Sequence, residues 1–180
     1  RAATSTVAVL VHDDGTEEII RASLTTENGV VVTLSNGDTV KIVDNGKYFD
    51  DVPDSHWGAD AIDFVSSREL FSGTGEAVFS PDTAMSRAML VTVLYRIAGE
   101  PSVKGTAPFR DVEKNSWYTN AVIWAAENGI VKGVNTTTFA PNDQITREQI
   151  ATILFRYAKA EKVEGKLAGF PDAGSVSSWA

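Results

Sequence analysis

Between residues 6 and 44 short apolar runs alternate with turn-forming dipeptides. TVAVLVH, EEIIRASL, VVVTLS and TVKIV are rich in β-branched residues, and Asp14-Gly15, Asn28-Gly29 and Asn36-Gly37, which favour tight hairpins, separate them. The pattern predicts a four-stranded antiparallel meander with Val7, Val9 and Val11 on one face and Val40 and Ile42 on the face of another strand. A sheet of fewer than 50 residues cannot comfortably cover such a face alone. Residues 1–48 are therefore read either as the C-terminal part of a larger β domain or as a small sheet leaning on the segment after it.

From residue 49 the apolar period changes from that of a strand to that of a helix. Trp57, Ala61, Ile62 and Val65 fall at the i, i+4, i+5, i+8 spacing of one helical face, and Trp117, Ala121, Val122 and Ala125 repeat it. Gly73 or Gly133 closes each first helix region, and Phe79-Ser80-Pro81 or Phe139-Ala140-Pro141 sets an extended turn before a second helix, expected to start at Ser86 or Thr146. The second-helix stripes are Leu90, Val93, Leu94, Ile97 and Ile150, Ile153, Leu154, Tyr157. Sliding the chain by 60 residues superposes the two segments without a gap, matching Phe49, Asp51, Val52, Trp57, Gly73, Phe79, Pro81 and Arg87 with Phe109, Asp111, Val112, Trp117, Gly133, Phe139, Pro141 and Arg147. A third copy starts with Phe170, Asp172 and Trp179 and is expected to be truncated at Ala180. The organisation is thus 1–48 β segment, 49–108 and 109–169 repeats, and 170–180 the start of a third. The fold class is α+β, an antiparallel meander followed by helix-loop-helix units whose narrow stripes require second helices to gather in a central bundle.

Composition narrows the chemistry. The 180 residues carry a net charge of -8, the wrong sign for unspecific nucleic-acid binding. With no Cys and two His, disulfides, thiolate chemistry and a His-rich metal site drop out, and no cofactor is expected. No apolar run approaches a membrane span, and the RAATSTVAVLVHDDG start lacks the features of a signal peptide, so any export signal is expected upstream. Charge is unevenly placed: -3 over residues 1–48, -5 over 49–108, +1 over 109–169 and -1 beyond. The acidic pairs Asp13-Asp14 and Glu17-Glu18 are read as a solvated hairpin rather than a calcium site or a glycosidase carboxylate pair.

F-x-D-V, the Trp that follows, Gly, F-x-P and the (S/T)-R pair at the second helix resemble the S-layer homology repeat, over Phe49 to Ala180. The resemblance implies a noncatalytic, extracellular bacterial cell-surface module. In that family three repeats form a pseudo-threefold bundle and bind secondary cell wall polysaccharide, often pyruvylated, in grooves between repeats. It also implies that the β segment ends a larger surface domain. The family's T-R-A-E tetrapeptide stands here as Ser86-Arg87-Ala88-Met89 and Thr146-Arg147-Glu148-Gln149, so neither copy is complete.

The candidate ligand-binding residues are Arg87, Arg147, Asp51, Asp111, Trp57, Trp117, Gly73 and Gly133. Thr146 with Gln149 makes a full capping box, whereas Ser86 with Met89 is expected to keep half of one. The Arg that follows is unfavourably placed against the helix dipole and needs compensation. An internal carboxylate such as Asp82 or Asp143 would supply it; alternatively, the guanidinium and free N–H groups of a helix start form a site for a planar carboxylate. The resemblance assigns that second role, matching a pyruvyl ketal. The more positive second repeat, with Arg147, Lys114 and Lys132, is the favoured binder, Arg147 outweighing Arg87. Trp57 and Trp117 could stack on sugar rings, but their register with Ala61 and Ala121 favours core packing. Asp51 and Asp111 are read equally as hydroxyl partners or turn residues. Trp124 and the Gly133-Val134-Asn135 loop are expected to flank the groove.

Two other functions compete with anchoring. One is a self-assembly module, a homo-oligomer in which another chain completes the third repeat. The other is an enzyme, for which no triad or placed acid pair can be identified.

Overall fold

The computed structural model describes residues 4–163, 165, 167 and 169–180. The chain forms two compact units, 1–83 and 84–180, so the division falls between the two helices of the first repeat.

The first unit contains β1 (Thr6–Val11), β2 (Glu17–Ile19), β3 (Leu24–Thr26), β4 (Gly29–Val31), β5 (Thr39–Asp44) and α1 (Ala59–Ser67). All pairings are antiparallel, but they form a three-stranded sheet of order β2-β1-β5 and a separate β3-β4 hairpin, not one four-stranded meander. The EEIIRASL run breaks in two because the edge it would extend along is already used. Ile20 N–H makes a last bond to Ala8 O and Ser23 N–H turns back to Ile20 O. The Thr6 carbonyl beyond accepts from Thr25 Oγ1 and from the Arg68 guanidinium. Val7, Ala8 and Val9 are buried, making β1 the centre of this unit, whereas Ile42, expected on a covered face, is exposed.

Arg68 is fully buried, and it follows α1. Its donors reach Ser23 O at 2.8 Å, Thr4 O at 2.9 Å, Phe64 O at 3.1 Å, Thr6 O at 3.2 Å and Thr25 Oγ1 at 2.9 Å, with the Phe64 ring 3.6 Å below the guanidinium carbon. Burial pulls its pKa below the ordinary value, with Asp63 opposing that shift; a guanidinium stays charged regardless. Asp63 is also buried and accepts from Thr4 Oγ1 at 2.5 Å. The buried side of α1 is thus Ala59, Ile62, Asp63, Ser66 and Ser67, more polar than apolar, and Ala61 is exposed. Phe49, Val52, Ala59 and Ile62 form a small apolar cluster joined by Phe79.

The second unit contains α2 (Arg87–Ile97), α3 (Thr119–Glu127), α4 (Arg147–Tyr157) and a short 3-10 turn at Ala173–Ser175. α3 is the core helix, with Ala121, Val122, Ile123, Trp124 and Ala125 all buried. Trp124 packs between Tyr95 of α2 and Tyr157 of α4, so it belongs to the core rather than the rim of a groove. α2 buries Ala88, Leu90, Val91 and Leu94, while α4 buries Ile153 and leaves Leu154 and Phe155 exposed. The start of α2 is sewn to the turn preceding α4: Arg87 N–H bonds Asp143 O, Ala88 N–H bonds Pro141 O, and Ile145 N–H bonds Met85 O, each at 3.0 Å.

Both second helices start where the sequence places them. Thr146 and Gln149 exchange their two bonds at 3.3 Å. Ser86 was expected to keep half a box, yet Met89 Sδ accepts Ser86 N–H at 3.4 Å while Ser86 Oγ accepts Met89 N–H at 3.2 Å. A thioether is a weak acceptor, but it reaches the place that a carboxamide would fill.

Candidate functional site

The motif residues of each repeat build one device. Asp111 accepts Phe139 N–H at 2.8 Å and Ala140 N–H at 2.7 Å, and Asp51 accepts Phe79 N–H at 2.9 Å and Ser80 N–H at 2.6 Å. A carboxylate 28 residues upstream thereby holds each F-x-P turn. The turn needs holding, because Ser80 and Ala140 sit at φ of 62° and 58°, a conformation that costs a residue with a Cβ about 1 kcal/mol or more. Gly73 and Gly133 adopt φ of +76°, and a Cβ there would run into the Val78 carbonyl in one copy and the Asn135 and Thr138 carbonyls in the other. These two positions require glycine.

The backbone N–H groups of Phe79 and Ser80 hold the Asp51 carboxyl below its ordinary pKa, against the cost of burial. At Asp111 burial is the largest influence and acts upward, but the two N–H bonds and the Arg87 charge together win, so its pKa is also lowered.

Arg87 stands at the first turn of α2 and is 5% exposed. Its Nε donates to Phe139 O at 2.8 Å, its Nη1 donates to Gln149 Oε1 at 3.1 Å, and its guanidinium carbon lies 4.9 Å from the Phe139 ring centroid. Burial lowers its pKa, and Asp143 and Asp111 pull the other way. None of its hydrogen-bond partners is a carboxylate, so the charge is held without being neutralised by contact.

That charge borders a groove of about 370 Å³, formed with Lys132, Gly133, Gln149, Arg156 and Trp179 among its walls. Three cations and no acid line it. The local sign is therefore opposite to that of the chain as a whole. Arg147, the favoured cation in sequence terms, is exposed and outside this groove. Its side chain follows a helix start that no later F-x-P turn covers among the described residues, whereas Arg87 is covered by Phe139.

Trp57 and Trp117, expected in the core, are 93% and 59% exposed. The helices begin two residues later, at Ala59 and Thr119, so each Trp lies in the preceding turn and outside the helical phase that suggested burial. Trp117 does not line the cationic groove; it borders a separate one with Thr92 and Arg96. The structure thus brings Arg87 and Gly133 together, leaves Arg147, Trp57 and Trp117 outside, and makes Asp51, Asp111 and Gly73 supports of turns. Sequence reasoning missed Arg156 and Trp179 as groove walls, although both sit at repeat-equivalent positions of Arg96 and Trp117. Among the described residues no group of three or more His, Asp or Glu side chains converges to hold a metal.

Family comparison matches residues 48–88 and 108–151 to the S-layer homology domain. The chain carries two S-layer homology domains. It is 36% identical over 126 residues to the surface-layer 125 kDa protein of Lysinibacillus sphaericus, covering 70% of this chain and 10% of that protein. It is 31% identical over 126 residues to the S-layer protein sap of Bacillus anthracis, covering 70% and 15%, and 30% identical over 138 residues to an amylopullulanase of Thermoanaerobacterium thermosulfurigenes, covering 74% and 7%. The chain matches only about a tenth of the length of such relatives. S-layer homology domains are noncatalytic modules that bind cell-wall polymers and anchor proteins to the wall, and the chain is a cell-surface, cell-wall protein. No described helix is long and apolar enough to cross a membrane.

Proposed function

We propose that this chain anchors its parent protein by gripping an acidic secondary cell wall polysaccharide, pyruvylated in the form that fits best, in the groove bounded by Arg87, Lys132 and Arg156. The observation that carries the reading is the concentration of three cations, with no lining carboxylate, on a protein of net charge -8. A planar carboxylate on a sugar ring suits that setting, because charge-assisted hydrogen bonds from guanidinium and ammonium groups are about twice as strong as neutral ones. Arg87 supplies a buried positive floor, and the more exposed Lys132 and Arg156 meet the anion from the walls. Trp179 offers an apolar face to the ring carbons. Asp111 and Gly133 act through the turns they shape, and repeats of this kind gather their second helices into a pseudo-threefold bundle.

Calorimetric titration with purified wall polysaccharide, before and after chemical removal of its pyruvyl groups, tests this reading. Saturable binding that is lost with the pyruvyl groups is expected. Undiminished binding of the stripped polymer would overturn it.

A second reading is favoured by one observation, the exposure of Leu154 and Phe155 on α4. In that case the module is chiefly an assembly element and this face meets a second copy of the chain. Light scattering across concentration separates the two, since the anchoring reading expects a constant particle mass.

A further inference from the structure

The chain contains four Asn-Gly pairs, Asn28-Gly29, Asn36-Gly37, Asn45-Gly46 and Asn128-Gly129. An asparagine followed by glycine holds a nucleophile and an electrophile within reach of each other. The glycine nitrogen can close a five-membered ring on the asparagine Cγ, and the absence of a Cβ on the glycine removes the steric obstacle to that approach. Folding decides which pairs are free to react. The glycine N–H must give up any hydrogen bond before it loses its proton, and the carboxamide must be able to turn toward it.

Three of the pairs are restrained. Asn45 Nδ2 donates to Ser67 O at 2.5 Å, its Oδ1 accepts from Lys47 Nζ at 2.9 Å, and Gly46 N–H donates to Asp44 Oδ1 at 3.0 Å. Asn128 closes α3, with its Nδ2 donating to Trp124 O at 2.8 Å and Gly129 N–H donating to Ala126 O at 3.0 Å. Gly29 stands opposite Thr26 in the β3-β4 ladder, and Asn28 N–H donates to Thr26 Oγ1 at 3.3 Å. Asn36-Gly37 differs. Both residues are exposed, and neither the Asn36 carboxamide nor the Gly37 N–H has a hydrogen-bond partner among the described residues. Gly37 lies at φ of +96° with nothing within 4 Å of the place a Cβ would take, whereas the same place at Gly46 meets Asp44 and Ser5 at 3.4 Å.

We propose that Asn36 is a site of spontaneous deamidation, the Asn-Gly pair that the fold leaves open to this reaction. The Gly37 nitrogen, once its proton passes to hydroxide, bonds to Asn36 Cγ, and the tetrahedral carbon expels the side-chain nitrogen as ammonia. Water then opens the succinimide at either carbonyl to give aspartate or isoaspartate. One water is consumed and one ammonia released, with nothing oxidised or reduced. The product places a new carboxylate two residues before Asp38, on a chain that is already acidic. In the isoaspartate the backbone gains a methylene inside the turn that closes just before β5, where Asp38 N–H donates to Ser35 O at 3.2 Å and Ser35 N–H donates to Asp38 Oδ2 at 2.6 Å. The entry to β5 thus ages chemically ahead of the other three turns.

The test incubates the intact chain for days at about pH 8, followed by proteolytic digestion and mass spectrometry against synthetic aspartyl and isoaspartyl peptides. In the folded chain Asn36 should convert faster than Asn28 and at least about tenfold faster than Asn45 and Asn128, the loss of one hydrogen bond being worth about that factor. In concentrated urea, where local sequence alone governs, the four rates should converge to within about threefold. Oxygen-18 from labelled water should enter the new carboxyl group at residue 36. Three outcomes would each overturn the proposal: no conversion at Asn36, conversion at Asn45 or Asn128 as fast as at Asn36 in the folded chain, or the same spread of rates in urea as in buffer.

Discussion

Arg87 of one repeat and Gln149 of the next share a single oxygen: Gln149 Oε1 accepts the Arg87 Nη1 donor at 3.1 Å and the Thr146 backbone N–H at 3.3 Å. The residue that caps α4 therefore also fixes the cation at the start of α2. The capping box and the motif arginine, separable in a single repeat, are one network when two repeats meet.

Arg87→Ala removes donors from Phe139 O and Gln149 Oε1 in a buried setting, with a destabilisation of roughly 2–4 kcal/mol expected. Arg147→Ala, at an exposed position, should change stability by no more than about 0.5 kcal/mol. Urea unfolding followed by near-UV circular dichroism compares them. Equal destabilisation would show that the two arginines are equivalent after all.

For binding of the acidic polymer, Lys132→Ala and Arg156→Ala should each weaken affinity about three- to tenfold, or roughly 0.6–1.4 kcal/mol. Arg147→Ala should leave it within about twofold. Calorimetry under one salt concentration decides, and a loss confined to Arg147→Ala would move the anion site to α4.

Acid should loosen both F-x-P turns. Asp51 and Asp111 have folded pKa values below the ordinary 3.8, so the stability they contribute is complete above about that pH. It is lost as pH falls through their lower folded values. Unfolding midpoints measured between pH 7 and 2 should decline chiefly at the acid end. Asp111→Asn should be less stable at neutral pH and show a shallower decline, and an unaltered slope would mean the carboxylate is not what holds the turn.

Arg68→Ala leaves the Ser23, Thr4 and Thr6 carbonyls without their buried donor and should destabilise the first unit by roughly 3–5 kcal/mol. Arg68→Lys keeps the charge but not the fork and should recover only part of this. Hydrogen exchange of the β1 and β5 amides reads the effect, and protection equal to wild type would argue that the strands hold without it.

Thr92→Val replaces an unpartnered buried hydroxyl by a methyl of the same shape and should stabilise the chain by about 1 kcal/mol. Chemical denaturation measures it. A clear destabilisation would mean the hydroxyl is already satisfied, by a bound water for instance.

The two repeats were legible because their chemistry is local. A serine or threonine with a partner three residues on caps a helix, a glycine at positive φ closes a loop, and an Asp paired with an F-x-P turn recurs at fixed spacing. Helical periodicity misplaces Trp57 and Trp117 because each lies in the turn before its helix, where the 3.6-residue phase does not apply. The meander failed for a different reason. Strand pairing at Ile20 to Ser23 competes with Arg68, 45 residues away from Ser23, and no pattern within the β segment reveals that competitor. Arg68 has Asn128 as its repeat counterpart, and that departure from the repeat was the only visible sign.

By itself, then, the order of residues determined the repeat, the helix starts, the required glycines and the surface-anchoring family, since each depends on contacts made over a few residues or on a recurrent motif. Tertiary structure decided which arginine keeps an exposed head and which is buried under Phe139, and whether the tryptophans pack inward. It also decided that Lys132, Arg156 and Trp179 meet around one groove. Those outcomes depend on groups distant in the chain competing for the same space and the same hydrogen bonds, and only folding settles which of them wins.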